Sequence, residues 1–377
     1  MKVSTALFIT KVKQGYSSKH FLIIKKYSSS GRRVICHAVR HIIKMRNVIY
    51  TLFYFWFVIS CSEPNEPSLF DANILIVSES SNDLVISNLD GSMKQNLTNS
   101  SELIEFSFDV SPVASKIVFQ RRYNPNDELC IMDFKGENLV VLKSSIGLGS
   151  PKFSHDGQRI VFVDASTGHN QVYTCRIDGT ELKNVSNNTY SDIGPQFSYD
   201  DQKIIFFSSR HPLNGLFKMD AYGSGQEFIT EAIVTRYSLS PTKEEMAFLK
   251  SVNDGFRSAI IVADFNGNII TQVTNNTGGD HSPIYTPDGE NLIYISNQVV
   301  ESKHYSDIKI INLSTNGIEY LLKDLVQCYQ QNLSKNYQYL VFGNSGDLNV
   351  YSFLDRTTKN ITNNGNGYYN PIIFENR

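Results

Sequence analysis

The sequence predicts an all-β protein, built as a closed ring of repeated four-stranded antiparallel sheets. Three observations predict this fold class. A Ser or Thr is followed eight residues later by an aromatic residue that closes an apolar strand, and this pair occurs six times. The pairs lie 42 to 48 residues apart, with turn residues between short apolar runs. The first and last copies of the pattern are incomplete in complementary ways, as residues 74–98 and 370–374 illustrate.

The repeated unit is a hairpin whose first turn begins at the Ser or Thr, which we call the anchor. A constant spacing inside the unit, with variable intervals between units, indicates a rigid hairpin joined by loops of different length. The runs around it are rich in Val, Ile, Phe and Tyr and are separated by Asn, Asp and Gly, which is typical of strands and tight turns. Each unit therefore comprises four strands in about 45 residues. The anchors and their aromatic partners are Ser111 and Phe119, Ser154 and Phe162, Ser198 and Phe206, Ser240 and Phe248, Thr286 and Tyr294, and Ser334 and Phe342.

The two ends of the repeat region predict how the ring closes. Residues 74–98 contain a second, third and fourth strand without the inner strand that should precede them. The segment "NPIIF" at 370–374 matches the inner strands of other copies, such as "SPKF" at 150–153. We expect the C-terminal strand to complete the first sheet by pairing with residues 74–77, because closure removes exposed strand edges. This gives a seven-bladed β-propeller over residues 72–377, with six blades and one irregular repeat as the alternative.

The motifs of the repeat resemble those of a known family. The segments "FSHDG" at 153–157, "YTPDG" at 285–289, "MDFKG" at 132–136 and "NLT" at 96–98 are similar to the TolB-type, WD40-like (PD40) propeller repeat of bacterial envelope proteins. The resemblance implies a propeller and a location in the cell envelope. It does not by itself imply an activity, because many functions occur on this scaffold.

Charge separates the N-terminal region from the rest of the chain. Residues 1–61 contain eleven Lys or Arg and no Asp or Glu, whereas the remainder holds 24 basic and 37 acidic residues. The apolar run at 48–60 has thirteen residues, fewer than the twenty or so that span a bilayer. It ends at Cys61, before a polar segment, and so resembles a bacterial lipoprotein signal.

This N-terminal region is accordingly divided into three predicted segments. Residues 1–44 are a basic leader or an extension upstream of a true start at Met45, residues 45–60 are a signal peptide, and residues 61–71 are a tether lipidated at Cys61. The protein would then be anchored by lipid to the outer membrane. The alternative is that residues 48–60 form a short buried helix.

Several kinds of chemistry are disfavoured. The sequence contains no phosphate-binding loop and no hydrolase or zinc-protease motif. The aspartates of the recurring "DG" pairs recur from blade to blade and are therefore interpreted as turn residues: Asp90, Asp156, Asp178 and Asp288. Cys130, Cys175 and Cys328 have no metal-site spacing and are predicted to be inert in the core. The acidic balance after residue 61 disfavours nucleic acid as a partner, and no cofactor or metal is predicted.

The candidate ligand-binding residues lie on the face that carries the loops between second and third strands. Arg210 and His211 are predicted in such a loop, and Asp280 and His281 immediately before an inner strand. Asp192 occupies the place equivalent to Asp280. The repeat does not require these residues, so we predict that they contact a ligand.

Two functions follow from this interpretation. The first is a lipid-anchored, non-catalytic module that binds a protein or glycan of the envelope. The alternative is a polysaccharide lyase or hydrolase that acts around the central channel, where the loop residues His169 and His304 accompany His211 and His281.

Overall fold

A computed structural model of the chain describes residues 6–10, 20–27, 33–40, 73–78, 82–100, 103–233, 237–252, 257–275, 279–362 and 368–374. The chain divides into two compact units, Met1–Ser68 and Leu69–Arg377. Within the described residues every regular element is a strand, and no helix is long and apolar enough to cross a membrane. Cys61 and the proposed signal peptide at 45–60 lie outside the described residues, so the predicted segments of the N-terminal region stay predictions.

The first unit contains a three-stranded antiparallel sheet that sequence reasoning did not anticipate. Its strands are β1 (Ala6–Thr10), β2 (His20–Tyr27) and β3 (Arg33–Arg40), in the order β1-β2-β3. All three fall within the segment interpreted from its charge as a leader.

The second unit forms, over its described residues, seven four-stranded antiparallel sheets, as the seven-bladed prediction requires. We number these sheets as blades 1 to 7 along the chain, and blade 1 takes its inner strand from the C-terminus. Blade 1 consists of β31 (Tyr368–Phe374), β4 (Asn73–Ser78), β5 (Leu84–Asn88) and β6 (Lys94–Asn96). Blade 2 consists of β7 (Ile104–Ser111), β8 (Lys116–Tyr123), β9 (Asn126–Asp133) and β10 (Val140–Ser145). Blade 3 consists of β11 (Gly149–Phe153), β12 (Arg159–Asp164), β13 (Gln171–Arg176) and β14 (Lys183–Asn184). Blade 4 consists of β15 (Asp192–Phe197), β16 (Lys203–Arg210), β17 (Leu213–Asp220) and β18 (Glu227–Glu231). Blade 5 consists of β19 (Tyr237–Leu239), β20 (Glu245–Val252), β21 (Arg257–Asp264) and β22 (Ile269–Gln272). Blade 6 consists of β23 (Gly279–Tyr285), β24 (Asn291–Val300), β25 (Lys303–Asn312) and β26 (Ile318–Leu325). Blade 7 consists of β27 (Cys328–Leu333), β28 (Tyr339–Asn344), β29 (Asp347–Ser352) and β30 (Thr357–Asn360).

The anchors explain why the first turn of each blade is constant. In blade 3 the Ser154 hydroxyl accepts a hydrogen bond from the Arg159 N–H (2.9 Å) and donates to Asp156 (2.5 Å). All six anchors are buried, none more than 4% exposed, so each hydroxyl must find its partners inside the turn. The aromatic residue eight positions later is also buried in all six blades.

The described inner strands other than β19 share a bulge just before the proline or its equivalent. In blade 4 the pairing with the second strand shifts between Ile193 and Gln196, and in blade 6 it shifts between His281 and Ile284. The bulge residue has a positive φ in five blades, and one to three further residues pair on its N-terminal side. Those bulge residues are Ser107, Ser150, Gly194, Ser282 and Asn370.

Seven hydrophobic clusters lie at the seven seams between neighbouring blades. The cluster around Phe206 joins blades 3 and 4, and the cluster around Phe248 joins blades 4 and 5. Each sheet has two apolar faces, and neighbouring blades bury both of them. A seam also joins blade 7 to blade 1 through Val341 and Ile373, so the ring is closed.

The C-terminal strand closes the ring as predicted, with a register that the sequence did not specify. Ile372 pairs with Leu75 and Ile373 with Ile74, and the bulge then shifts the pairing so that Tyr369 lies opposite Val77. The Ile373 N–H also donates to the Asn332 side chain of blade 7 (3.2 Å). Blade 1 is therefore fixed both to its own sheet and to its neighbour.

Candidate functional site: the hairpin face of the ring

The two faces of the ring carry different parts of the repeat. The turn face carries the turns that follow the inner and third strands. The hairpin face carries the hairpins between second and third strands, together with the starts of the inner strands. The candidate ligand-binding residues all belong to the hairpin face.

The aspartates interpreted as turn residues lie on the turn face and stabilise its turns. Each of the four carboxylates accepts a hydrogen bond from the backbone N–H two residues later: Asp90 from Ser92, Asp156 from Gln158, Asp178 from Thr180, and Asp288 from Glu290. This arrangement is an Asx turn, which confirms the structural interpretation. The hydrogen bonds from Ser92 hold the pKa of Asp90 below its usual value.

Asp192 and Arg210 are brought together, but inside the protein and not in a loop. Asp192 is the first residue of β15 and has no exposed surface, and Arg210 is the last residue of β16. The Arg210 guanidinium lies 3.3 Å from the Asp192 carboxylate, donates to the Gln226 side-chain oxygen (2.6 Å) and packs over the Phe217 ring. The expected loop position of Arg210 was wrong because β16 and β17 stay paired up to Arg210 and Leu213, which leaves only His211 and Pro212 in the turn. The bulge in β15 lets Asp192 pair with Ser208, two residues before Arg210.

His211 occupies the position expected for it. It lies at the tip of the hairpin between β16 and β17 and is exposed, beside the buried Arg210 pair. His169 is likewise an exposed loop residue between β12 and β13. His304 differs from expectation, because it belongs to β25, where it pairs with Val299 near the tip.

Asp280 and His281 lie within the inner strand β23, where sequence reasoning expected them just before it. Asp280 pairs with Ser296, as the equivalent Asp192 pairs with Ser208, and it is buried. His281 is partly buried, with its ring nitrogens 2.9 Å from the Ser282 hydroxyl and 3.1 Å from the Asn297 amide. No group of three or more His, Cys, Asp and Glu among the described residues could hold a metal ion.

Sequence reasoning missed a third buried acidic residue at the repeat position of Asp192 and Asp280. Glu105 lies six residues before its anchor, as Asp192 and Asp280 do, and is fully buried. The Ser100 hydroxyl bridges the Glu105 carboxylate (2.9 Å) and the Asp83 carboxylate (3.1 Å). Burial raises the pKa of Glu105, and the charge of Asp83 raises it further. The spacing from the anchor was the signal that could have identified it.

The cysteines of the propeller are buried, as predicted, and they are not joined by disulfides. Burial raises the pKa of the Cys130, Cys175 and Cys328 thiols to about 12. At neutral pH they are therefore protonated and poorly nucleophilic.

Two exposed features of the hairpin face differ from blade to blade. The hairpin of blade 6 has strands of ten residues, against eight in blades 2 and 4. Beyond Asn297 and Ser306 it continues without pairing to β23 or β26, and at its tip Val299 is 62% and Val300 48% exposed. The second feature is a cleft of about 280 Å³ between the hairpins of blades 4 and 5.

Comparison with known proteins identifies the family. The model of the TolB beta propeller domain (PD40) matches residues 65–299. The chain belongs to this TolB propeller family. The Tol-Pal system protein TolB of Francisella tularensis subsp. holarctica is 27% identical over 204 residues, which cover 52% of this chain and 47% of that protein. The protein TolB homolog of Chlorobium luteolum is 26% identical over 143 residues, 37% of this chain and 32% of the homolog. The chain thus matches about half the length, or less, of these TolB relatives.

Solved structures share the fold of this TolB-family chain at low sequence identity. TolB from Acinetobacter baumannii has a TM-score of 0.51 at 14% identity, over 98% of this chain and 82% of that one. An oligogalacturonate lyase in complex with manganese has a TM-score of 0.57 at 14% identity, over 77% and 84%. A puromycin hydrolase has a TM-score of 0.56 at 9% identity, over 95% and 64%. These similarities concern the fold alone, because binding proteins and enzymes both occur among them.

Proposed function

We propose that this propeller is a non-catalytic module that binds a protein partner in the bacterial cell envelope through its hairpin face. Family membership supports the envelope location, and the curated relatives are named as Tol-Pal system proteins. The acidic residues near the channel favour binding over catalysis, because Glu105 and Asp192 are buried and engaged by other side chains.

One observation carries the proposal: the projecting hairpin of blade 6. Its two exposed valines lie near the end of a ribbon that pairs with no other strand among the described residues of the blade. Exposed apolar groups on a rigid hairpin, surrounded by polar residues such as Lys303 and His304, are typical of a protein-binding surface. A glycan ligand would favour aromatic platforms and polar clefts over this apolar tip.

The sequence-predicted residues take two roles in this proposal. His211 is exposed and presents a polar group to the partner, and the partly buried His281, whose ring contacts Ser282 and Asn297, lies on the same face. Asp192, Arg210 and Asp280 support that surface from within, because they are buried or nearly so.

Site-specific crosslinking tests the proposal. A photoreactive residue at Val300 should crosslink to a discrete envelope protein in intact cells, and a Val299→Asp substitution should remove that adduct. The matched control is Leu354, an exposed apolar residue (87%) between β29 and β30 on the turn face, where no adduct is expected. Equal crosslinking from both positions, or an adduct that persists with Val299→Asp, would contradict a binding surface on the hairpin face.

We further propose that Cys61 is the lipidated N-terminus of the mature protein, after removal of a signal peptide at 45–60. The motif supports this proposal: an apolar run ends at a cysteine followed by polar residues. Cys61→Ser should abolish lipid attachment and shift the mass of the mature form. The same mass and membrane fractionation for the variant and the wild type would exclude lipidation.

A further inference from the structure

The cleft between the hairpins of blades 4 and 5 contains a lysine in an unusual setting. Pro212, Asn214 and Glu231 of blade 4 line it on one side, and Lys250 of blade 5 on the other. The Lys250 side chain is half-buried. An ammonium group that is partly withdrawn from water is costly unless an anion accompanies it.

Charged residues at the equivalent position of two other blades each have a counter-charge, within the same sheet in blade 2 and from the neighbouring blade in blade 3. Lys250 is the tenth residue after its anchor, a position occupied by Arg121 in blade 2 and Asp164 in blade 3. Arg121 forms an ion pair of 2.5 Å with Glu128, its partner in the β-ladder. Asp164 forms an ion pair of 3.1 Å with Lys143.

Blade 5 lacks the equivalent counter-charge. The ladder partner of Lys250 is Ala259, which is fully buried and has no charge. Among the described residues Lys250 takes part in no ion pair, and Glu231, although it lines the same cleft, does not approach it within 4.0 Å. Of the three charged residues at this position, Lys250 is the one with no charged partner among the described residues.

We propose that this cleft binds a carboxylate of an acidic peptide segment, with the Lys250 ammonium as the recognition group. The inference rests on the proposed function, since the segment would belong to the protein partner. A volume of about 280 Å³ accommodates one or two amino-acid residues. Glu231 can accept a hydrogen bond from a peptide N–H, and Asn214 can both donate and accept. A doubly charged phosphate would be repelled by Glu231, so a single carboxylate with neighbouring N–H groups fits the cleft better.

Peptide titrations test this assignment. The probes are a labelled acetyl-Ala-Glu-Ala-Ala-amide, the matching Gln peptide, and digalacturonate as a carboxylate on a sugar. We expect the Glu peptide to bind about tenfold more tightly than the Gln peptide, and Lys250→Met to abolish that difference. Glu231→Gln should strengthen binding by removing a competing negative charge. Lys243→Met, which removes an exposed lysine on the turn face, is the matched control and should change nothing.

Three results would overturn the proposal. These are equal affinity of the wild type for the two peptides, an unchanged affinity in a Lys250→Met variant, and binding of digalacturonate in place of the Glu peptide. The melting temperature of Lys250→Met should not fall, because the substitution removes an uncompensated charge; a large fall would assign Lys250 a structural role and also overturn it. Crosslinking at Val300 that persists in a Lys250→Met variant would confine the failure to this cleft and leave the proposed function intact.

Discussion

The turn face and the hairpin face are built from the same strands, but they use polar residues differently. On the turn face the same contacts recur, such as the Ser154 and Thr286 hydroxyls that close equivalent turns. On the hairpin face equivalent acids have different partners: Ser100 and Asp83 surround Glu105, whereas Arg210 and Asn188 hold Asp192. Recurring contacts therefore define the blade. Contacts that differ from blade to blade have separate roles, because some of these residues stabilise a seam and others are available to bind a partner.

One position on the turn face also differs between blades, so variable contacts are not confined to the hairpin face. Gly157 in blade 3 and Asp201 in blade 4 are equivalent and both have positive φ. A Cβ at Gly157 would lie 2.8 Å from the Ser111 hydroxyl of blade 2, so no side chain fits there. Asp201 instead accepts hydrogen bonds from the His155 and Asp156 N–H groups of blade 3, at 2.8 and 2.9 Å. The same position of the repeat thus stabilises two seams, by close packing at Gly157 and by hydrogen bonds at Asp201.

The largest effect should come from opening the ring on which both faces depend. Deleting residues 370–377 removes Ile373 and Phe374, which are buried in the seams on either side of blade 1. It also exposes the edge of β4. We expect a loss of about 5 kcal/mol or more in the free energy of unfolding, measured by urea denaturation. Phe374→Ala should cost about 3 kcal/mol. Leu354→Ala, a substitution at an exposed site, is the control. A truncated chain that is as stable as the wild type would contradict closure of the ring by β31.

The second largest effect tests whether Arg210 belongs to the structure or to a free surface. Arg210→Ala leaves the Asp192 carboxylate fully buried without its cation, so we expect a loss of about 3 kcal/mol by the same measurement. A residue on a free surface would lose less than about 1 kcal/mol. Adding Asp192→Asn should recover part of the loss, because the buried charge is then removed.

A double-mutant cycle separates these interpretations. The two substitutions should be strongly non-additive if the ion pair is structural. His211→Ala, one residue away but exposed, should change stability by less than about 0.5 kcal/mol. A loss for His211→Ala equal to that for Arg210→Ala would remove the distinction between the two residues.

The fold could be predicted because its signals are local and repeated. The hydroxyl of Ser154 and the buried ring of Phe162 belong to one hairpin, so their spacing survives in the sequence. The candidate site depended on where each inner strand begins, which the bulge at Gly194 or Ser282 determines. A bulge adds paired residues without changing the hydrophobic pattern, and sequence reasoning therefore placed Asp192, Asp280 and His281 just before the inner strands. Arg210 was assigned to a loop because the hydrophobic pattern does not mark how far the β16–β17 hairpin continues. The lone cation at Lys250 could be recognised only once its ladder partner, Ala259, was known.

A smaller effect is expected from Asp201, which isolates one contact between neighbouring turns. Asp201→Gly keeps a backbone suited to positive φ and reproduces the residue of blade 3, while removing the hydrogen bonds to His155 and Asp156. Burial would raise the pKa of Asp201, but these hydrogen bonds outweigh it and lower the pKa. We expect a loss of about 2 kcal/mol at pH 7, which shrinks as the pH falls through that lowered pKa. Asp201→Asn should lose less, since it retains one acceptor; a loss equal to that of Asp201→Gly would assign the effect to charge alone.

The smallest effect has the opposite sign and belongs to the hairpin face. Glu105 is buried beside Asp83, and its pKa is raised above the usual glutamate value of about 4.5. The folded state therefore binds a proton more tightly than the unfolded state, so this group stabilises the protein below pH 4.5 and the stabilisation is lost as the pH rises through its folded pKa. Glu105→Gln should remove this pH dependence and raise the free energy of unfolding at pH 7 by about 1 kcal/mol. Asp83 and Arg121 face the same carboxylate, and Ser100→Ala should make the wild-type pH dependence steeper by removing the bridging hydroxyl. Denaturation of the wild type, Glu105→Gln and Ser100→Ala between pH 4 and pH 8 measures how the free energy of unfolding changes with pH. If Glu105→Gln is less stable than the wild type at pH 7, the contacts of this face stabilise the Glu105 carboxylate as an anion, and the prediction is wrong.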